Sequence, residues 1–214
     1  MPPLFYQNYW NLVGNDISHL VLNFLNTTPL PPHFNHTFIT LIPKVKCLEF
    51  VLEFRFISLC NVLYKIFSKV LANRLKKVLP KIITEYQSAF TKRWLISDNI
   101  LVAFESLHSI QKHTGKDDFM AVKVDMSKAY DRVEWAYLEL VMKKLGFNDQ
   151  WVKLLMVCVT VVSYSILVNG EPKGLIHPSR GICQGDSLSP FLFLLCTEGL
   201  QSLISQATTM GDIR

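Results

Sequence analysis

No two cysteines in this chain form a Cys-x-x-Cys pair. The five, at positions 47, 60, 158, 183 and 196, follow no regular spacing. That speaks against a disulfide framework and against a zinc ribbon, so the thiols are expected mostly as small buried hydrophobes in a reducing, intracellular setting, nuclear or cytoplasmic. A loose group of His33, His36 and Cys47 beside Pro31-Pro32 reads as a polar loop rather than a metal site. A long apolar run is also missing. One long uncharged stretch, Leu154 to Gly170, is interrupted by Thr160, Ser163, Tyr164, Ser165 and Asn169. It falls short of the ~20 apolar residues of a spanning helix, which makes a membrane protein a poor reading. Met1-Pro2-Pro3 leads into a mixed polar and aromatic segment, without the pattern of a signal peptide. Repeats, low-complexity tracts and linkers are absent as well.

What is present is a chain able to bury a core. Half of its 214 residues are hydrophobic, which removes disorder as the default and leaves one large domain or two small ones. Its net charge of +5 is unevenly spread. Lys44 to Arg93 holds eleven Lys/Arg against three Asp/Glu, or +8, so the remainder sums to −3. A basic region in a mildly acidic chain is the footprint of a polyanionic partner, with a merely solvated helix face as the alternative.

Periodicity supplies a coarse map. A first helix from Asp16 would bury Ile17, Leu20, Val21, Phe24 and Leu25, and the prolines at 29, 31 and 32 would end it. Phe38–Ile42 reads as a strand. From Asn61, the set Val62, Leu63, Ile66, Phe67, Val70, Leu71, Leu75, Val78 and Leu79 gives a helical period. Lys65, Lys69, Arg74, Lys76 and Lys77 would form its basic outer face. Ser97-Asp98 open a helix with Ile100, Leu101, Phe104, Leu107 and Ile110 inside and Gly115 past its end. Helices are expected from Val133 to Leu145 and from Asn148, then a hairpin turning at Asn169-Gly170-Glu171-Pro172, then a helix from Ser189 or Pro190. The fold class is α+β rather than regularly alternating βα units.

Two boxes carry the chemistry. In the first, an expected buried strand Phe119–Val124 ends on Asp125, followed by Ala129-Tyr130-Asp131. A carboxylate there is costly to desolvate unless it meets a cation or many donors, as a metal-binding Asp would; the plainer alternative is that Asp125 caps the next helix. The second box is Arg180-Gly-Ile-Cys-Gln-Gly-Asp-Ser-Leu-Ser-Pro-Phe191.

With both boxes in view, the chain resembles the reverse transcriptases of non-LTR retrotransposons, in particular the LINE type of plant genomes. The resemblance runs from Leu4-Phe5-Tyr6-Gln7 through Ile39–Lys44, Phe56–Asn61, Asn73-Arg74-Leu75, Gln87–Phe90 and Ile96–Ile100 into the two boxes. It implies the fingers and palm of a right-hand polymerase that copies an RNA template onto a DNA primer from deoxynucleotides, with two Mg²⁺ ions at the reacting phosphate. Asp125 then matches the first metal-binding, catalytic carboxylate, and the Met126 carbonyl a further metal ligand. Tyr130 resembles the bulky residue under the incoming sugar, with a packed core aromatic as the alternative. Gln184 and Gly185 resemble the pair that approaches the incoming nucleotide. Arg180 and Lys123 would be phosphate contacts or ordinary surface charges.

The departures are specific. Lys92-Arg93-Trp94 stands where the family has Pro-Gly-Arg, Phe56 replaces a proline, and Cys183 and Ser187 replace an arginine and a proline of Arg-Gln-Gly-Asp-Pro. The aromatic-Ala-Asp-Asp hairpin of the family is not found; the one Asp-Asp, Asp117-Asp118, reads as a solvated turn. The thumb, a Gly-Pro-Asp-Gly segment before Leu4 and an endonuclease domain are missing too. The resemblance thus implies a truncated fragment of a degenerate element, with about residues 1–118 mainly fingers and about 119–214 partial palm, inactive alone. Its rivals are a catalytically dead nucleic-acid-binding module, an intron-encoded maturase and a non-functional product.

Overall fold

The computed structural model describes residues 2–27, 30–31, 34–84, 87, 95–115 and 119–213, and of Ile96 the backbone only. His33, Asp117-Asp118, Lys92-Arg93-Trp94 and most of the Gln87–Phe90 segment fall outside them. Helices α1 (Pro3–Asn8) and α2 (Trp10–Thr27) precede strands β1 (His36–Pro43) and β2 (Phe54–Cys60). Helices α3 (Val62–Ile82) and α4 (Ile96–Lys112) follow, then a 3-10 turn at Tyr130–Arg132. The chain continues through α5 (Trp135–Lys144), α6 (Asp149–Thr160), β3 (Ser163–Val168), β4 (Glu171–Ile176) and α7 (Ser189–Met210). This is a mixed α and β architecture, in keeping with the α+β class.

One sheet runs in the order β2-β1-β3-β4. β1 pairs antiparallel with β2 and parallel with β3, and β3 turns antiparallel into β4. The parallel pair needs a long crossover, which the helical region between β2 and β3 supplies. Asn169 and Gly170 both take positive φ, +53° and +83°, the pattern of a two-residue hairpin turn whose twist suits the strands.

The core gathers Val21 and Phe24 of α2, Phe67, Leu71 and Leu75 of α3, Leu138 and Met142 of α5, Leu155 of α6, and Leu192 and Leu195 of α7. Two asparagines cap helices as their type predicts. Asn61 Oδ1 accepts from Tyr64 N at 2.7 Å at the start of α3, and Asn148 Oδ1 accepts from Gln150 N at 2.9 Å at the start of α6. No helix among the described residues is long and apolar enough to cross a membrane.

Three expectations are corrected, and one strand was not foreseen. α2 begins at Trp10, so Asp16 lies inside it and caps nothing. Phe54–Cys60, of which Phe56–Cys60 was quoted above only for its resemblance, is a strand at one edge of the sheet, with β4 at the other. Residues 119–126 are irregular, with Met120 84% and Val124 75% exposed, because no strand among the described residues satisfies their backbone groups. The apolar stripe of α4 is at the surface, with Ile100, Leu101, Phe104 and Leu107 all more than half exposed. A helical period states which face could be buried; it does not provide the partner that buries it.

Candidate nucleotide and nucleic-acid site

The second box leaves β4 without regular structure, yet its backbone is tied down on both sides. Gly181 N donates to Val133 O at 2.8 Å, Ile182 N to Tyr130 O at 3.0 Å, and Trp135 Nε1 to Gly181 O at 2.8 Å. Further on, Ser58 N of β2 donates to Gln184 O at 3.2 Å, so the box covers part of an edge that would otherwise offer an unpaired donor. Gly181 has φ +92°, and a Cβ there would stand 3.3 Å from the Asp131 backbone. Gly185 has φ +103°, a conformation L side chains rarely adopt. Gln184 and Gly185 themselves are exposed.

Beneath this turn lies Asp186, only 6% exposed. Its carboxylate accepts from Ser187 N at 2.7 Å and is also held by Ser68 and the Leu188 N–H, with Lys65 nearby. Burial outweighs these donors and raises its pKa above the usual carboxylate value. Asp186 thus joins α3 to the entry of α7. Sequence reasoning passed over it; a carboxylate between a glycine and the small residues that open a helix was the available signal.

Tyr130 is brought to the box by its own carbonyl, the acceptor for Ile182 N. Its half-buried ring packs against Phe193 of α7, with centroids 5.3 Å apart, and burial raises the phenol pKa. Asp125 is exposed, in a surface cavity of about 470 Å³ shared with Met126, Arg132, Glu134, Tyr137 and Phe193. Neither Gln184 nor Tyr130 lines that cavity. Phe193 stands between, touching Tyr130 on one side and the Asp125 cavity on the other. Asp125 does not cap the next helix, since the N-cap positions of the 3-10 turn and of α5 are Ala129 and Glu134, neither with a side-chain cap bond. Arg180 pairs with Glu134 at 3.1 Å across an exposed surface, and Lys123 is exposed.

On α3, the deeply buried positions are Tyr64, Phe67, Ser68, Leu71, Ala72, Leu75 and Leu79, while Lys65, Lys69, Arg74, Lys76 and Lys77 are all exposed. They do not form a single face. At about 100° per residue, Lys65, Lys69 and Lys76 fall within about 40° of one another, whereas Lys77 and Arg74 lie about 80–180° further round. The half-buried Ile66 and the exposed Asn73 occupy the arc between. Lys65, close to both Cys60 and Asp186, turns the first stripe toward the second box.

Comparison with known sequences decides the family. Residues 42–212 match the family described as "Reverse transcriptase (RNA-dependent DNA polymerase)". The chain belongs to the reverse transcriptase family. A 149 kDa protein of transposon TX1 from Xenopus laevis is 28% identical over 205 residues, covering 96% of this chain and 16% of that protein. A Pol polyprotein of the type-1 retrotransposable element R2 from Popillia japonica is 28% identical over 180 residues, 81% of this chain and 24% of the polyprotein. A mitochondrial protein of Arabidopsis thaliana is 56% identical over 47 residues, 22% of this chain and 38% of that protein. The chain therefore spans well under half the length of these relatives, two of which carry the names of transposable elements, in line with the resemblance to non-LTR reverse transcriptases.

Reverse transcriptases bind an RNA template, a primer and deoxynucleotides, and generally use divalent metal ions. A pair of such ions demands several hard oxygen ligands held close together. Among the described residues, no three His, Cys, Asp or Glu side chains group closely enough to hold a metal ion. Asp125 and the Met126 carbonyl offer one carboxylate and one neutral oxygen on an exposed segment. These residues alone do not fit a two-ion clamp.

Proposed function

We propose that these 214 residues form the fingers and part of the palm of an RNA-directed DNA polymerase of a non-LTR retrotransposon, about 1–118 and about 119–214 respectively, and that by themselves they hold nucleic acid and nucleotide without extending a primer. The reading rests most on one observation: the second box is fastened to the Tyr130 backbone through Ile182 and to β2 through Gln184. Gln184 would hydrogen-bond the sugar or base of an incoming deoxynucleotide without bringing charge, Gly185 would let the backbone approach it, and Tyr130 would limit the space beneath the sugar. Asp125, with Met126, would be the first carboxylate of a Mg²⁺ site that needs further ligands. The two stripes of α3 would attract the phosphates of template and primer regardless of sequence.

A primer-extension assay with Mg²⁺ or Mn²⁺ tests the catalytic half of this reading. The purified chain is expected to incorporate no deoxynucleotide. Template-dependent incorporation that disappears in Asp125→Asn would overturn it. The second reading, a nucleic-acid-binding module with no nucleotide site, is favoured by the exposure of Asp125 and its separation from Gln184. It predicts RNA binding with no protection of the Gln184–Gly185 turn from hydrogen exchange by added deoxynucleotide.

A further inference from the structure

Thr37 of β1 stands in register with Cys60 of β2 on one side and Tyr164 of β3 on the other. Cross-strand partners share a face of the sheet, so Cys60, Thr37 and Tyr164 form a polar row, and all three are turned inward. Thr37 is 1% exposed and its hydroxyl lies beside the Cys60 thiol. Cys183 is laid over this row: its sulfur lies 3.0 Å from the Tyr164 hydroxyl and its thiol is in contact with that of Cys60. The Ser58 N to Gln184 O bond fixes the approach, because it holds the residue after Cys183 against the strand that ends at Cys60. Two thiols, each 7% exposed, therefore face each other across the joint between β2 and the second box.

We propose that Cys60 and Cys183 are a disulfide-forming pair which, on exposure to a peroxide, fastens the Gln184–Gly185 turn covalently to the end of β2. The chemistry is self-consistent with hydrogen peroxide as the oxidant. One sulfur attacks the peroxide, becomes a sulfenic acid and releases a water molecule. The second sulfur displaces the sulfenic hydroxyl, which leaves with a proton as a second water. Two thiols lose two electrons and two protons in all, and one peroxide becomes two waters.

Cys60 is the first nucleophile. The neighbouring Cys183 thiol pulls the Cys60 thiol below its usual pKa, while Cys60 and burial raise that of Cys183. Burial instead pushes Cys196 up to about 12 and raises Cys158, so these two are poor competitors. Cys183 borders a void of about 10 Å³, together with Tyr64, Cys158, Tyr164 and Asp186, the least volume that holds one water, so peroxide must reach Cys60 from outside it. The family pattern has an arginine at position 183, so the pair exists only where cysteine has replaced that cation. The bond would form whether or not the turn binds a nucleotide, and its test is independent of that reading.

The reduced, purified chain is treated with one equivalent of hydrogen peroxide, its remaining thiols are alkylated, and it is digested without reductant for mass spectrometry. The expected product is a cross-linked peptide pair containing Cys60 and Cys183, lighter by two hydrogens than the separate peptides and split again by a phosphine reductant. Two of the five thiols should be lost from the free-thiol count of the oxidised chain, and the linked peptide pair should be absent from Cys183→Ser. Recovery of Cys60 and Cys183 as alkylated thiols after peroxide would overturn the proposal. So would their recovery as sulfinic acids or in linkage to the exposed Cys47. The mapping on the unsubstituted chain decides the matter even if a variant fails to fold.

Discussion

Replacing Gly185 by alanine tests how firmly the second box is held. A Cβ at this position meets only the Ser58 carbonyl oxygen, at 3.4 Å, an ordinary contact, so sterics with neighbours add little. The cost comes from the backbone. A φ of +103° lies beyond the left-handed helical region and is sparsely populated by L residues. Holding a side-chain-bearing residue there costs about 1–3 kcal/mol. For a chain of this size each kcal/mol lowers the melting temperature by about 2–4 °C. Gly146→Ala is the reference: its φ is +83° and no atom lies within 4 Å of the added methyl, so it carries backbone strain far from the box. Gly185→Ala should melt below both the parent and Gly146→Ala, and the Ser58 amide should exchange faster in the Gly185 variant alone. Gly185→Ala melting with the parent, at unchanged Ser58 exchange, would refute the requirement for a glycine at this turn.

Asp186→Asn should change the pH dependence of stability. The folded-state pKa of Asp186 lies above its unfolded value, so the native state binds the proton more tightly, and this contribution falls as pH rises from the unfolded to the folded pKa. Chemical denaturation across that window should show the variant gaining on the parent as pH rises; parallel curves would contradict the raised pKa. Leu75→Ala, at a fully buried position of α3, should cost about 2–5 kcal/mol in urea denaturation. Asn61→Ala removes the cap of α3 and should cost about 1 kcal/mol in the same experiment, more than an exposed alanine substitution inside the helix.

Local chemistry was legible in the sequence; what depended on distant partners was not. Asn148 and the Asn169-Gly170 turn act through their own backbone and were read directly, as was the helix opening at Ser189. Phe54–Cys60 carries no clean alternation, having mostly half-buried positions with Arg55 and Leu59 exposed, and becomes a strand through pairing with β1. The run 119–124 has the composition of a buried strand and lacks the pairing, so composition misled. On α3, the apolar positions were assigned to one face because the period was read without weighting burial. Tyr64 and Ala72 proved to be core, while Val78 is 41% exposed. Cys183 was legible only as a missing cation. Its contact with Cys60 depends on sheet register, which no local pattern encodes.

The central claim is that the α3 stripes make this chain a nucleic-acid binder of the reverse transcriptase family. The most direct measurement is the affinity for a single-stranded RNA from low to moderate salt, for the parent and for the joint reversal of Lys65, Lys69, Arg74 and Lys77 to Glu. Each neutralised phosphate contributes about 0.7 to the slope of log affinity against log salt on single strands, so loss of four contacts should flatten it by about three. The account predicts weaker binding and a flatter slope for the reversal, with Asp125→Asn unchanged in both. An affinity and slope indifferent to the reversal would contradict it.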